Sequence, residues 1–227
     1  MTYVMSDIHG EYTKYAKMLK KIKFSESDEL YILGDIVDPA KKQSVKILQD
    51  MRTRPNVHPI WGENDITAFD IISKTYPSIS PENADFEFIK QISRWTTMLR
   101  GVDNIPQEEI VELLKYIKSF KLFVTLTVDG QDFVLVHGSI PLEKVKDRTL
   151  RSHAHEMVTS SPDYSRHYFD DAFLVTGHTP TFNIGEEWRG KIYRANGHIA
   201  IDCGAGCSTG MPLGCIRLED FSEFYVD

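Results

Sequence analysis

The sequence has little cysteine, no apolar run of membrane length and no surplus of positive charge, and each shortage excludes something. The three cysteines, Cys203, Cys207 and Cys215, are odd in number and crowded near the C-terminus. They exclude a disulfide framework and read as reduced thiols of a cytoplasmic protein. A Cys-x3-Cys pair can hold zinc, but no four-ligand set accompanies it. No segment reaches the roughly 20 apolar residues of a membrane span. The opening M-T-Y-V-M-S-D runs directly into a strand pattern without the basic and apolar regions of a signal peptide, so the expectation is a soluble intracellular chain with no membrane partner. With 26 Lys and Arg against 33 Asp and Glu, the net charge of −7 argues against a general nucleic-acid binder. A local cationic pocket for one phosphate remains compatible with it. Repeats, low-complexity tracts and linkers are also absent, so residues 1–227 read as a single domain.

Two alternating patterns fill the first 70 residues. Apolar runs at Tyr3 to Met5, Leu30 to Leu33 and Val57 to Trp61 each stop at a Gly- or Asp-bearing turn. Between them Tyr12, Tyr15, Met18, Leu19 and Ile22, then Val45, Leu48 and Met51, recur at helical spacing. Strand–helix–strand–helix–strand predicts a parallel sheet with right-handed crossovers, whose chemistry sits beyond the carboxyl ends of the strands. Residues 65–119 are polar and mostly helical, with Pro81 after Ser80 and Pro106 close after Asn104 placed for helix first turns, and read as an insert beside the site. Strands resume at Lys121 to Val128, turn at Asp129-Gly130 in a hairpin signal, and return through Phe133 to Val136. After a polar, partly helical stretch over 141–171, further strands are expected at Phe173 to Val175, Lys191 to Arg194, His198 to Ile201, Gly214 to Arg217 and Glu223 to Val226.

Five short motifs fall at or between these strands: S-D-I-H-G at 6–10, G-D-I-V-D at 34–38, G-E-N-D at 62–65, V-H-G at 136–138 and T-G-H-T-P at 176–180. Carboxylate and imidazole donors gathered from separate strand ends suit Mn, Fe or Zn, and one carboxylate can bridge a pair of divalent ions.

This series resembles the calcineurin-like metallophosphoesterase family, and in particular its branch of serine/threonine phosphoprotein-phosphatase-type enzymes. The resemblance covers nearly the whole chain, including the tail I-D-C-G-A at 201–205. It implies a four-layer αββα sandwich of mixed sheets with flanking helices (α/β, or α+β by some schemes). It also implies that Asp7 and His9 hold one metal, that Asp35 bridges, and that His137 and His178 hold a second metal with a residue of the 62–65 turn. Two divalent ions, Mn foremost, would then activate a bridging water against a phosphate ester.

Departures from the family pattern stand at the places that do the rest of the chemistry. Aligned without gaps, Glu63 occupies the position of an asparagine ligand and Asn64 that of the catalytic histidine. A one-residue shift brings Asn64 to the metal instead. Neither restores the acid, since an imidazolium can protonate a departing alkoxide and an amide cannot. Asp38 keeps the place of the carboxylate that orients that histidine. The arginine expected after Asp38 is replaced by Pro39-Ala40, and none stands in 158–162. Lys41, Lys42 and Arg166 are the cations nearest to filling the gap, although ammonium groups do not reproduce a bidentate guanidinium contact.

Plainer roles compete for several of these side chains. Asp38 can cap a helix, and Asn64 or Asp65 can be the N-cap of a helix starting near Ile66. His153 and His155 read as solvated, His58 and His198 as structural, Trp61 and Trp95 as core, and Lys20, Lys21 and Lys23 as a solvated helix face. The leading expectation is a phosphoesterase acting on phosphorylated protein or a small phosphate ester, slowed by the missing histidine, with His167 or solvent delivering the proton. The alternatives are a dinucleoside polyphosphate hydrolase, a non-catalytic metal-bearing relative that binds a phosphorylated ligand, and a structural protein with an empty site.

Overall fold

The computed structural model of the chain describes residues 1–76, 86–141, 153–207 and 210–227, with the backbone alone over 86–93. The alternating patterns of the first 70 residues become β1 (Thr2–Met5), α1 (Tyr12–Lys21), β2 (Glu29–Leu33), α2 (Ser44–Arg52) and β3 (Val57–Ile60). β1 pairs with β2 and β2 with β3, both parallel. Three helices follow, α3 (Glu63–Thr75), α4 (Phe86–Val102) and α5 (Gln107–Lys118). Pro106 immediately precedes α5, whereas Ser80 and Pro81 lie outside the described residues.

β4 (Phe123–Val128) and β5 (Gln131–Val136) form the expected hairpin, with Asp129 and Gly130 both at positive φ. The remaining elements are a short helix α6 (Ala154–Thr159), β6 (Ala172–Thr176), β7 (Tyr193–Ala195), β8 (His198–Ala200), β9 (Leu213–Arg217) and β10 (Glu223–Val226). They complete two five-stranded mixed sheets, ordered β10-β9-β1-β2-β3 and β4-β5-β6-β8-β7.

Burial explains the layering. Side chains alternate across each strand, so one face of β1 and β2 buries Tyr3, Met5, Leu30 and Ile32 in a cluster with helix residues Tyr15, Met18, Leu48, Met51, Ile71 and Trp95. The opposite face sends Val4, Leu33 and Ile60 against Phe133, Leu135, Val175 and Ile199 of the second sheet. A smaller cluster of Val136, Ile140, Met157 and Leu174 covers the second sheet's outer side beneath α6. Helices, sheet, sheet and a thin outer cover give the layered sandwich that the resemblance implied. No helix among the described residues is long and apolar enough to cross a membrane.

Candidate metal centre

The strands β1, β2, β3, β5 and β6 all deliver a polar residue within a few positions of their last residue, at one edge of the two-sheet interface. Asp7 and His9 follow β1, Asp35 follows β2, Asn64 follows β3, His137 follows β5 and His178 follows β6. Among the described residues, eight non-glycine residues have positive φ, and four of them are Asp7, His9, Asp35 and His178. Such backbone costs about 1–3 kcal/mol per residue and persists only where its surroundings over-determine it. Here neighbouring loops fix it: Asp7 N donates to Gly34 O (3.1 Å), His9 N to Asp35 O (2.9 Å) and Gly10 N to Ile36 O (2.9 Å). Gly177 has no room for a side chain, since a Cβ there would overlap Ser6 Oγ and Asp7 Oδ2.

Asp7, Asp35 and His137 are buried and each offers a donor atom within 4.8 Å of the other two. His9 Nε2 lies 3.6 Å from Asp7 Oδ1 and 3.7 Å from Asp35 Oδ2, and His137 Nε2 lies 3.5 Å from Asp35 Oδ1. His137 Nδ1 is 2.6 Å from Leu33 O. A carbonyl only accepts, so Nδ1 carries the proton and the lone pair sits on Nε2, facing the cluster. That buried Nε2 has no hydrogen-bond partner. His178 shows the reverse tautomer by the same logic: Nε2 is 3.1 Å from Thr159 O, which leaves the Nδ1 lone pair open, and the two imidazole centroids are 5.1 Å apart. Ser6 Oγ donates to Asp7 Oδ2 and lies 2.8 Å from Leu33 O, and the His178 backbone N–H donates to the same Asp7 oxygen at 2.9 Å.

The electrostatics call for a cation. Burial and the Asp7 charge raise Asp35, and the same two causes lift Asp202 well above the carboxylate range. Burial opposes charge on Asp7 too, but His9, His137 and Ser6 outweigh it and hold that carboxyl low. Burial lowers His9, but its carboxylate neighbours overcome that and carry it to about 9. Carboxylates this close stay ionised only against positive charge. An orphaned imidazole lone pair beside two oriented carboxylates is the donor set of a divalent ion such as Mn, Fe or Zn, and the residues present fit one.

At the 62–65 turn, Gly62 precedes α3, Glu63 is its exposed first residue and Asn64 turns inward. Asn64 N donates to Asp35 Oδ1 (2.9 Å), and its Nδ2 lies 3.2 Å from Asp35 Oδ2 and 3.3 Å from His9 Nδ1. Asp38 also faces this ring, its Oδ2 3.7 Å from His9 Nδ1, while its Oδ1 accepts the Ala40 N–H at 2.6 Å. Lys41 pairs with Glu11, one loop away from the cluster. Lys42 is exposed beside Lys41. Arg166 is exposed and lies over the Tyr168 ring. The exposed His167 rests against Gly197.

Two buried carboxyls that sequence reasoning gave no role at the cluster take part. Asp65, weighed only as a helix cap, reaches back from the first turn of α3 to accept from Gly62 N (3.1 Å) and also accepts from Ile36 N (3.1 Å) and Val37 N (3.2 Å). It ties two ligand-bearing loops together, and burial with the Asp35 charge raises it to about 7. Asp202, from the quoted I-D-C-G-A tail, follows β8 and accepts from Gly204 N (2.8 Å). The plainer readings fare simply. His58 contacts Glu29 (2.5 Å), His198 is buried on Thr176 (2.9 Å), and Trp95 is in the core. His153 lies 3.6 Å from Glu156 and His155 3.3 Å from Thr159. The cysteines are free thiols.

A family model described as the calcineurin-like phosphoesterase superfamily domain matches residues 1–194. The chain is 26% identical over 168 residues, 72% of its length and 54% of the relative's, to the symmetrical bis(5'-nucleosyl)-tetraphosphatase of Haemophilus ducreyi. It is 24% identical over 149 residues, 65% of its length and 47% of the relative's, to the protein of that name from Acidovorax sp. (strain JS42). The chain thus spans about half the length of the curated relatives it matches. A metallophosphoesterase from Sphaerobacter thermophilus superposes with a TM-score of 0.60 at 16% identity, covering 100% of this chain and 87% of that one. A cold-active protein-tyrosine phosphatase from Shewanella gives 0.55 at 16% identity, covering 100% and 80%. These two likenesses concern the fold alone.

Proposed function

Because this chain belongs to the calcineurin-like phosphoesterase superfamily, we propose that it is a metal-dependent phosphohydrolase whose substrates are phosphoanhydrides of the dinucleoside polyphosphate class. The serine/threonine phosphoprotein branch named by the sequence resemblance finds no support among the curated relatives, three of which are symmetrical bis(5'-nucleosyl)-tetraphosphatases. The observation that carries the reading is Asn64, an amide facing the cluster where an acid is expected. Hydrolysis of a phosphoserine expels an alkoxide, which needs a proton as it leaves. Hydrolysis of an anhydride expels a nucleoside phosphate, whose newly terminal phosphate has a second pKa near 6 and leaves as an anion at neutral pH. Water adds to one phosphorus and releases its proton to solvent, the bond to the bridging oxygen breaks, and the electron pair departs on the leaving phosphate. A site without an acid is therefore handicapped for the first substrate and little handicapped for the second.

Asp7, Asp35 and His137 would hold the divalent ion, Mn²⁺ in our reading, with His9 and His178 completing the donor set for a pair. Such ions supply a Lewis acid for phosphoryl oxygens and a lowered pKa for water. Ser6 and the His178 N–H aim the Asp7 carboxylate. The Leu33 carbonyl sets the His137 tautomer. Asn64 braces Asp35 and presents an amide N–H beside the cluster. The same amide also favours a second reading, a relative that binds phosphorylated ligands without turning them over.

Hydrolysis by the Mn²⁺-supplemented protein separates the readings. Diadenosine tetraphosphate and nitrophenyl phosphate are expected to turn over, and a phosphoserine peptide at least about 100-fold more slowly. In Asn64→His the peptide rate is expected to rise by roughly 10²–10⁴, with little change for the anhydride. A wild-type protein that cleaves the peptide as fast as the anhydride sinks the substrate class. One inert toward all three leaves the binding reading.

A further inference from the structure

A cleft of about 740 Å³ opens beside the cluster, between the loop after β2 and helix α4, lined by Gly10, Glu11, Lys41, Lys42, Thr97 and Arg100 among others. Its inner wall begins at Gly10, the neighbour of His9, and Ala40 in its lining receives the Asp38 carboxylate on its N–H. Two close contacts lock α4 onto that loop. Met98 N donates to Pro39 O (3.1 Å), and Gly101 passes so near that a Cβ would lie 2.5 Å from Lys42 O. Docking at Gly101 is what sets the exposed Arg100 across the cleft from Lys41 and Lys42.

The charges divide unevenly. Glu11 is paired with Lys41, while Asp103 accepts the Tyr76 hydroxyl and keeps its charge, so three cations face two carboxylates in the lining. Lys42 and Arg100 make no ion pair with another described residue. Two uncommitted cations therefore border one cleft in a chain of net charge −7. The volume lies within the roughly 300–1,000 Å³ of small-molecule sites and exceeds what one phosphate needs.

We infer that this cleft holds the phosphate chain beyond the scissile phosphorus, with Arg100 and Lys42 gripping its oxygens. A guanidinium from α4 thus stands in for the one absent at 39–40, and selects linear polyphosphates over monoesters. This rests on the phosphoanhydride reading above, but it is testable without turnover. Calorimetric titration of inorganic tripolyphosphate into metal-free protein at low salt is expected to give saturable binding that exceeds orthophosphate binding at least tenfold. The double variant Lys42→Ala/Arg100→Ala is expected to weaken tripolyphosphate at least tenfold, whereas Lys118→Ala, on exposed α5 surface, changes nothing. In steady-state assays with Mn²⁺ the double variant should raise the ratio of KM for diadenosine tetraphosphate to KM for nitrophenyl phosphate at least tenfold. No tripolyphosphate binding, or equal binding by wild type and double variant, overturns the inference. A protein that hydrolyses neither substrate yet shows the binding difference instead overturns the enzymatic reading and leaves the cleft standing.

Discussion

The floor of this site and its rim are built by opposite rules. The floor, Asp7, Asp35 and His137 with Asp65 and Asp202 behind them, is buried, and its loops are fixed by backbone hydrogen bonds and left-handed turns. The rim, Lys42, Glu63 and Arg100, is exposed and carries side chains with few fixed partners. Buried charges are tolerated only when every lone pair has an answer, so a floor residue is constrained by several neighbours at once. An exposed cation near a cleft is constrained by little, and can be lost from one loop and supplied by another element. Asn64 sits on the boundary, its backbone in the floor's network and its amide at the mouth.

That contrast can be broken at its strongest point first. His137→Ala removes one of three buried donors. Structural Zn²⁺ affinity of roughly 10–16 kcal/mol shared among about four ligands is about 2.5–4 kcal/mol each, and the lower end applies to the more weakly bound Mn²⁺. Mn²⁺ binding is then expected to weaken roughly 50- to 100-fold, read by titration with metal analysis after gel filtration. An affinity within tenfold of wild type would show that His137 is no ligand. Asp65→Ala comes next. It strands three buried N–H groups at Gly62, Ile36 and Val37. At about 1–3 kcal/mol each, partly relieved by relaxation, a loss near 4 kcal/mol is expected in denaturant melts. A loss under 1 kcal/mol would mean the floor is not held by this carboxyl.

The smallest effect lies behind the floor, in the second sheet. Burial holds the His198 imidazole at about 4, below its ordinary 6.5. The unfolded chain then binds the extra proton between pH 6.5 and 4, so stability falls as pH falls through that window. The expected loss is about 2 kcal/mol by pH 5, at 1.36 kcal/mol per unit. His198→Gln, which can keep a hydrogen bond to Thr176, is expected to flatten that share of the slope in urea melts at pH 7 and pH 5. An unchanged slope would place the titration elsewhere.

Much of the fold was legible along the chain because βαβ units are local. Tyr3, Met5, Leu30 and Ile32 alternate, the helices between them recur at three and four, and parallel pairing of β1, β2 and β3 follows. The Asp129-Gly130 hairpin announced itself in two residues. The pairing of β1 with β9, Val4 opposite Ile216, was not legible, because strands so far apart in sequence are matched by burial rather than by any local signal. Within the site, the motifs named the donors that follow strand ends. They gave no role at the cluster to Asp65 or Asp202, since a carboxylate's role depends on which amides and charges surround it.

The choice between Glu63 and Asn64 shows where that division falls. Spacing alone brought both residues to the end of β3, and composition fixed that neither is an imidazole. Which one turns inward was settled by the helical phase of α3, anchored when Asp65 clasps Gly62 and the 36–37 amides from another strand's loop. The sequence by itself determined the candidate donor types, the strand ends that carry them and the absence of an imidazole at 63 and 64. Tertiary structure alone decided their convergence, the tautomers of His137 and His178, and the placing of Arg100 and Lys42 on one cleft. Those depend on contacts between segments distant along the chain, whose geometry exists only once both sheets and α4 are packed.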